Sequence, residues 1–167
     1  MLITRSELIS ALFIAVLLIT GPVLQSGNAY ADNGYGKQKV VYHINYDDPR
    51  LQADALRNIQ NHINAVGKED IEIRVVLHGN GLALLLEPGS LEELTKFKHA
   101  NATENMTAKI DGLKDQGVSF NVCANTVHGR KVDVEFDLYN VDEADIVPSG
   151  VAEVARLQQD GYVYIKP

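Results

Sequence analysis

From Val40 onward, short β-branched runs alternate with stretches of helical spacing. The first run, Val40-Val41-Tyr42-His43-Ile44-Asn45, is apolar on both faces, which suits a central strand covered by helices on each side. Asp48 then offers an N-cap oxygen, and Pro49 a pre-set φ at the first helical position. Leu51, Ala55, Leu56, Ile59, Ile63 and Val66 form a helical stripe that stops at Gly67. Ile71 to Leu77 predicts a second strand, and His78-Gly79-Asn80-Gly81 a turn into a buried segment from Leu82 to Leu86. Ser90 to Glu93 fits a capping box, and a longer helix is expected from about Thr103, through Met106, Ile110 and Leu113, to a stop at Gly117. Val118 to Cys123 predicts a third strand, with Asn125 or Thr126 capping a short helix after it. The stretch Asp133 to Asn140 fits a strand by its alternation and a helical turn by its acidic residues. Ile146-Val147 predicts a fourth strand, Pro148-Ser149-Gly150 a turn, Val151 to Gln159 a helix and Tyr162 to Ile165 a last strand. This order favours an α/β fold with a mostly parallel sheet and helices on both faces.

Ahead of the first strand, Arg5, an apolar run from Leu8 to Ile19, Gly21-Pro22 and the small-residue end Ala29-Tyr30-Ala31 read as a secretory signal over residues 1–31. The apolar run is shorter than the roughly 20 residues a membrane helix needs, so no span is expected once the chain is cleaved after Ala31. Asp32 to Gln38 reads as a flexible leader and residues 39–167 as one domain, in a periplasmic or secreted protein. A formal net charge of −7 with scattered lysines and arginines provides no attraction for nucleic acid or an anionic membrane. The single cysteine, Cys123, cannot close an internal disulfide, so the core must hold the fold alone. An unpaired thiol in an oxidising compartment is either buried and inert or exposed for use.

Ligands of open parallel sheets bind at the carboxyl ends of the strands. Here those ends carry Asn45-Tyr46-Asp47, His78-Gly79-Asn80-Gly81, Cys123-Ala124-Asn125-Thr126 and Pro148-Ser149-Gly150. Cys123 is the candidate nucleophile, because a thiol beside a helix N-terminus is held toward the thiolate. His78 is the candidate acid–base or orienting group. Gly79, Asn80, Gly81, Asn125, Thr126, Ser149 and Gly150 are the candidate ligand-binding positions. His43, inside a strand, reads as structural, and His128 and Arg130, after the short helix, as surface residues. No H-x-x-x-H or C-x-x-C spacing, dinucleotide fingerprint, P-loop or G-x-S-x-G turn is present, so neither a metal nor another cofactor is expected.

The strand ends Cys123-Ala-Asn-Thr126 and His78-Gly-Asn-Gly81, with Ile146-Val-Pro-Ser-Gly150 running into Val151 to Gln158 and then Gly161 to Lys166, resemble the DsrE/DsrF-like family (TusD/YchN-like), its exported branch in particular. The resemblance spans essentially the whole chain after the signal. It implies a three-layer α/β/α domain with a five-stranded parallel sheet, assembled into trimers or hexamers. It also implies sulfur chemistry, in which a cysteine at the position of Cys123 accepts sulfur as a persulfide from a donor protein and passes it to an acceptor. An exported member would need a donor and acceptor unlike those of cytosolic shuttles. Two other readings stay open: a non-enzymatic module holding a small anion on backbone N–H groups, and a purely structural oligomeric subunit.

Overall fold

The computed structural model describes residues 34–167. The expected signal, residues 1–31, and its cleavage point lie outside the described residues. Five strands form one sheet, in the order β4-β3-β2-β1-β5, with every neighbouring pair parallel. Strand β1 (Gln38–Ile44) begins within the expected leader, because Gln38 already pairs with Ile71 of β2 (Ile71–Leu77). Helix α1 (Pro49–Val66) starts as its sequence requires: the Asp48 carboxylate accepts from the N–H groups of Arg50 and Leu51, at 2.9 and 3.1 Å. Two 3₁₀ turns (Gly79–Leu84 and Pro88–Glu92) lead to α2 (Glu104–Lys114) and β3 (Ser119–Cys123). Then come α3 (Ala124–Arg130), the single turn α4 (Val134–Asp137), β4 (Ile146–Val147), α5 (Gly150–Gln159) and β5 (Val163–Ile165).

Three expectations change. Ser90 does not cap a helix; Pro88, with its φ already set, opens the 3₁₀ turn two residues earlier. Neither Asn125 nor Thr126 is a cap, because β3 runs directly into α3 and Cys123 itself takes the N-cap position. His128 and Arg130 lie in the last turn of α3 rather than after it. The stretch from Asp133 to Asn140 uses both of its patterns: Asp133 caps α4, and Leu138 bridges antiparallel to Leu86.

Side-chain alternation divides the core. Val40, Tyr42 and Ile44 of β1, Ile73, Val75 and Leu77 of β2, and Phe120 and Val122 of β3 pack with α1, α2 and the buried run Leu82–Leu86. On the other face, Val41 and Val76 meet Val154, Leu157 and Tyr162, a much smaller cluster under α5. The result is three layers, α/β/α, with α5 as the only α-helix on its side among the described residues.

Buried polar bonds hold the carboxyl edge in place. Gln52 of α1 donates to the carbonyls of Tyr46 and Gly81, at 2.7 and 3.3 Å. Asn101 donates to the Gln52 side-chain oxygen at 2.7 Å and to the Asp47 carbonyl at 3.0 Å. Together these two side chains tie the β1–α1 loop to the loop after β2. Gln52→Leu is expected to lower the unfolding free energy by about 2–4 kcal/mol, since it strands the carbonyl of Tyr46 and the Asn101 amide hydrogen that is not held by Asp47. Urea denaturation measures it, and an effect below about 0.5 kcal/mol would show that water reaches these groups.

Candidate functional site

Helices α1, α2 and α3 leave the sheet on one side, whereas α5, which follows β4, leaves on the other. A crevice therefore opens between the carboxyl ends of β3 and β4, where neighbouring connections part to opposite faces. Cys123 ends β3 in that crevice and is only 5% exposed. Burial pushes its thiol up, but the N–H of Gly150, the hydroxyl and N–H of Thr126 and the N–H of Asn125 outweigh it and hold the thiol below its ordinary value. The starts of α3 and α5 thus supply N–H groups to one sulfur atom from both faces of the sheet.

The loop after β2 is coupled to this cradle. Gly79, at φ +56°, donates its N–H to Thr126 Oγ1 at 2.8 Å, which leaves the Thr126 hydroxyl hydrogen for the sulfur. Gly150 sits so close that a Cβ there would lie 2.9 Å from the His78 Cβ and 3.2 Å from the Cys123 Cβ. The structure therefore brings together Cys123, His78, Thr126, Gly150 and the backbone of Asn125. Ser149 caps α5, its hydroxyl accepting from Ala152 N–H at 3.4 Å. Two further candidates make contacts within the fold. Asn80 is turned to the Arg130 guanidinium, accepting at 2.6 Å, and Gly81 packs on the end of β1. The exposed side chain of Asn125 does not reach the thiol; its N–H does.

His43, expected to be structural, belongs beside the site. Its ring stands edge-on to that of His78, with centroids 4.7 Å apart, and its Nδ1 lies 3.0 Å from the Tyr164 hydroxyl. Burial, then the neighbouring His78 and Lys166, lower the His43 pKa to about 4; burial and Lys166 lower His78 as well. Both rings are neutral near pH 7, so the thiolate is held by N–H groups and not by an imidazolium. The shared face of Val41 and His43 could be read from their spacing, but not that β5 would bring Tyr164 alongside.

A measurable consequence follows for stability. His43 takes up a proton in the unfolded chain near its ordinary value of roughly 6.5, but in the fold only near pH 4. Stability is therefore full above pH 7 and falls as the pH drops from there to about 4. The loss from this half-exposed ring is on the order of 1 kcal/mol after solvent screening. His43→Asn should flatten that part of the pH–stability curve, and an unchanged slope would show that the ring is neutral in neither state or both.

Among the described residues no group of three or more histidines, cysteines or acidic residues converges on a point that would hold a metal ion. No helix there is long and apolar enough to cross a membrane. A depression of about 450 Å³ at the opposite end of the strands, lined by Lys37, Lys39, Glu69, Asp70 and Glu72, contains no thiol.

The chain belongs to the DsrE/DsrF-like family, whose model matches residues 38–167. Membership associates it with sulfur-relay-type function in general. Among solved structures it is similar to a protein of unknown function, MTH1491, from Methanobacterium thermoautotrophicum. The two are 28% identical with a TM-score of 0.62, over 78% of this chain and 100% of that one. No curated protein matches the chain.

Proposed function

We propose that this protein is an exported sulfur carrier or sulfurtransferase of sulfur-compound metabolism, with Cys123 as the atom that takes up sulfur. The observation that carries this reading is the cradle of N–H groups from α3 and α5 around one buried thiol. The Cys123 thiolate attacks the outer sulfur of a sulfane donor, the donor's S–S bond breaks, and the leaving group keeps the electron pair. The persulfide anion formed is held by the same N–H groups. A nucleophile on an acceptor then takes the terminal sulfur and releases the Cys123 thiolate.

Intact mass spectrometry of protein taken from its native compartment tests the reading. One sulfur atom added at Cys123 supports it; an unmodified thiol that also stays unmodified after incubation with polysulfide removes it. Tight binding of a small anion by Cys123→Ala, without any adduct in the wild type, would put the non-enzymatic module in its place. The same spectrum reads the processing, since export with cleavage after Ala31 leaves Asp32 as the N-terminus.

A trimeric or hexameric assembly is part of the same proposal. Phe136 and Leu51, outside the α5 side, are 76% and 53% exposed, apolar surface that a second copy would cover. Light scattering at micromolar concentration is expected to give a multiple of the monomer mass, and a monomer would overturn this part.

A further inference from the structure

The α5 side carries a depression of about 270 Å³ that the thiol chemistry leaves unused, lined by His43, Val151, Val154, Gln158 and Tyr164. Its inner wall is His43, whose ring meets His78. It ends at the start of α5, where Gly150 lies against both His78 and Cys123. The depression therefore adjoins the crevice. Apart from Gln158 and His43, its lining is valine and tyrosine.

Polar groups at one end make it more than an apolar hollow. Nδ1 of His43 lies 3.0 Å from the Tyr164 hydroxyl, and its Nε2 is buried with no hydrogen-bond partner among the described residues. Nδ1 of His78 is likewise without a partner there. Lys166 follows Ile165, which pairs with Tyr42, so it comes alongside His43. It is exposed and forms no ion pair among the described residues. The other cation near the crevice, Arg130, is held by Asn80 and the Lys96 carbonyl and faces the charge of Asp47. An apolar wall, an imidazole nitrogen lacking a partner and an unpaired ammonium suit an organic anion.

We propose that this depression binds the organic body of a thiosulfonate, with its apolar group on Val151, Val154 and Tyr164 and its negative head toward Lys166 and His43. The assignment rests on Cys123 being the sulfur acceptor. The Cys123 thiolate attacks the terminal sulfur, the S–S bond breaks, and a sulfinate departs with the bonding pair, leaving the persulfide. One thiolate and one anion enter, one persulfide anion and one sulfinate leave, and no oxidant or reductant is consumed. Such a donor needs no reduced partner protein.

The test compares benzenethiosulfonate with methanethiosulfonate, which share reacting atoms and differ in apolar body. Each rate of persulfide formation on the full chain is divided by the same donor's rate with free cysteine. The benzene compound is expected to be about tenfold faster, as partial burial of a ring implies. Val151→Asp should abolish that advantage. Lys166→Gln should slow both donors about fivefold, with high salt bringing the wild type toward the variant. Equal normalised rates, or an advantage that survives Val151→Asp, overturn this assignment while the persulfide still forms and the role of Cys123 stands. No persulfide from either donor or from polysulfide overturns both.

Discussion

Iodoacetamide should alkylate Cys123 in the folded protein at pH values where an ordinary thiol is still largely protonated, and Cys123→Ser should lose all sulfur loading. Only the direction of the thiol's shift is at issue. Burial alone would raise it and make labelling slow until the chain unfolds. The four donors from Gly150, Thr126 and Asn125 act the other way and prevail. Thr126→Val separates the contributions, since it removes the hydroxyl from the sulfur and from Gly79 N–H together. Its labelling at pH 7 should fall about fivefold, with the pH profile displaced upward. Because both imidazoles are neutral in this range, His78→Ala should leave the position of the profile nearly unchanged and show its effect in the rate of sulfur discharge. Asn125→Ala should change neither, because only its backbone reaches the thiol. Labelling that appears only in denaturant would remove Cys123 as a nucleophile.

The largest loss of stability is expected from Gly81→Ala. A Cβ there would stand 1.9 Å from the carbonyl oxygen and 2.6 Å from the carbonyl carbon of Ile44, both main-chain atoms at the end of β1. Backbone cannot rotate aside as a side chain does, so the loop must lift off the sheet and break the Gln52 bond to the Gly81 carbonyl. A cost of about 3–5 kcal/mol follows, lowering the melting temperature by roughly 10 °C or more. Gly150→Ala makes an instructive comparison. Its Cβ meets the Cβ atoms of His78 and Cys123, at 2.9 and 3.2 Å, which are side-chain and not main-chain atoms. The expected cost is about 1–3 kcal/mol, accompanied by slower thiol labelling as the Gly150 N–H is drawn from the sulfur. Equal melting temperatures for Gly81→Ala and the wild type would contradict the close approach of the loop to β1.

Local signals in the chain were sufficient for much of this molecule. The apolar runs of β1 to β3, the Asp48-Pro49 start of α1, the stripe from Leu51 to Val66 and the brief β4 are each written within a few residues, because side-chain periodicity and end-capping act over one or two turns. They determined an α/β domain with Cys123 at a strand's carboxyl end. They also misplaced the caps at Ser90 and Asn125, where a proline and a strand running straight into a helix changed the start by two or three residues. What no local pattern contains is the order of strands. Those apolar on both faces are equally suited to several neighbours, and the choice is made by packing between segments far apart in sequence. Only the folded chain sets β5 beside β1, bringing Tyr164 and Lys166 to His43, and sends α5 to the face opposite α3, so that Gly150 and Thr126 meet at one sulfur.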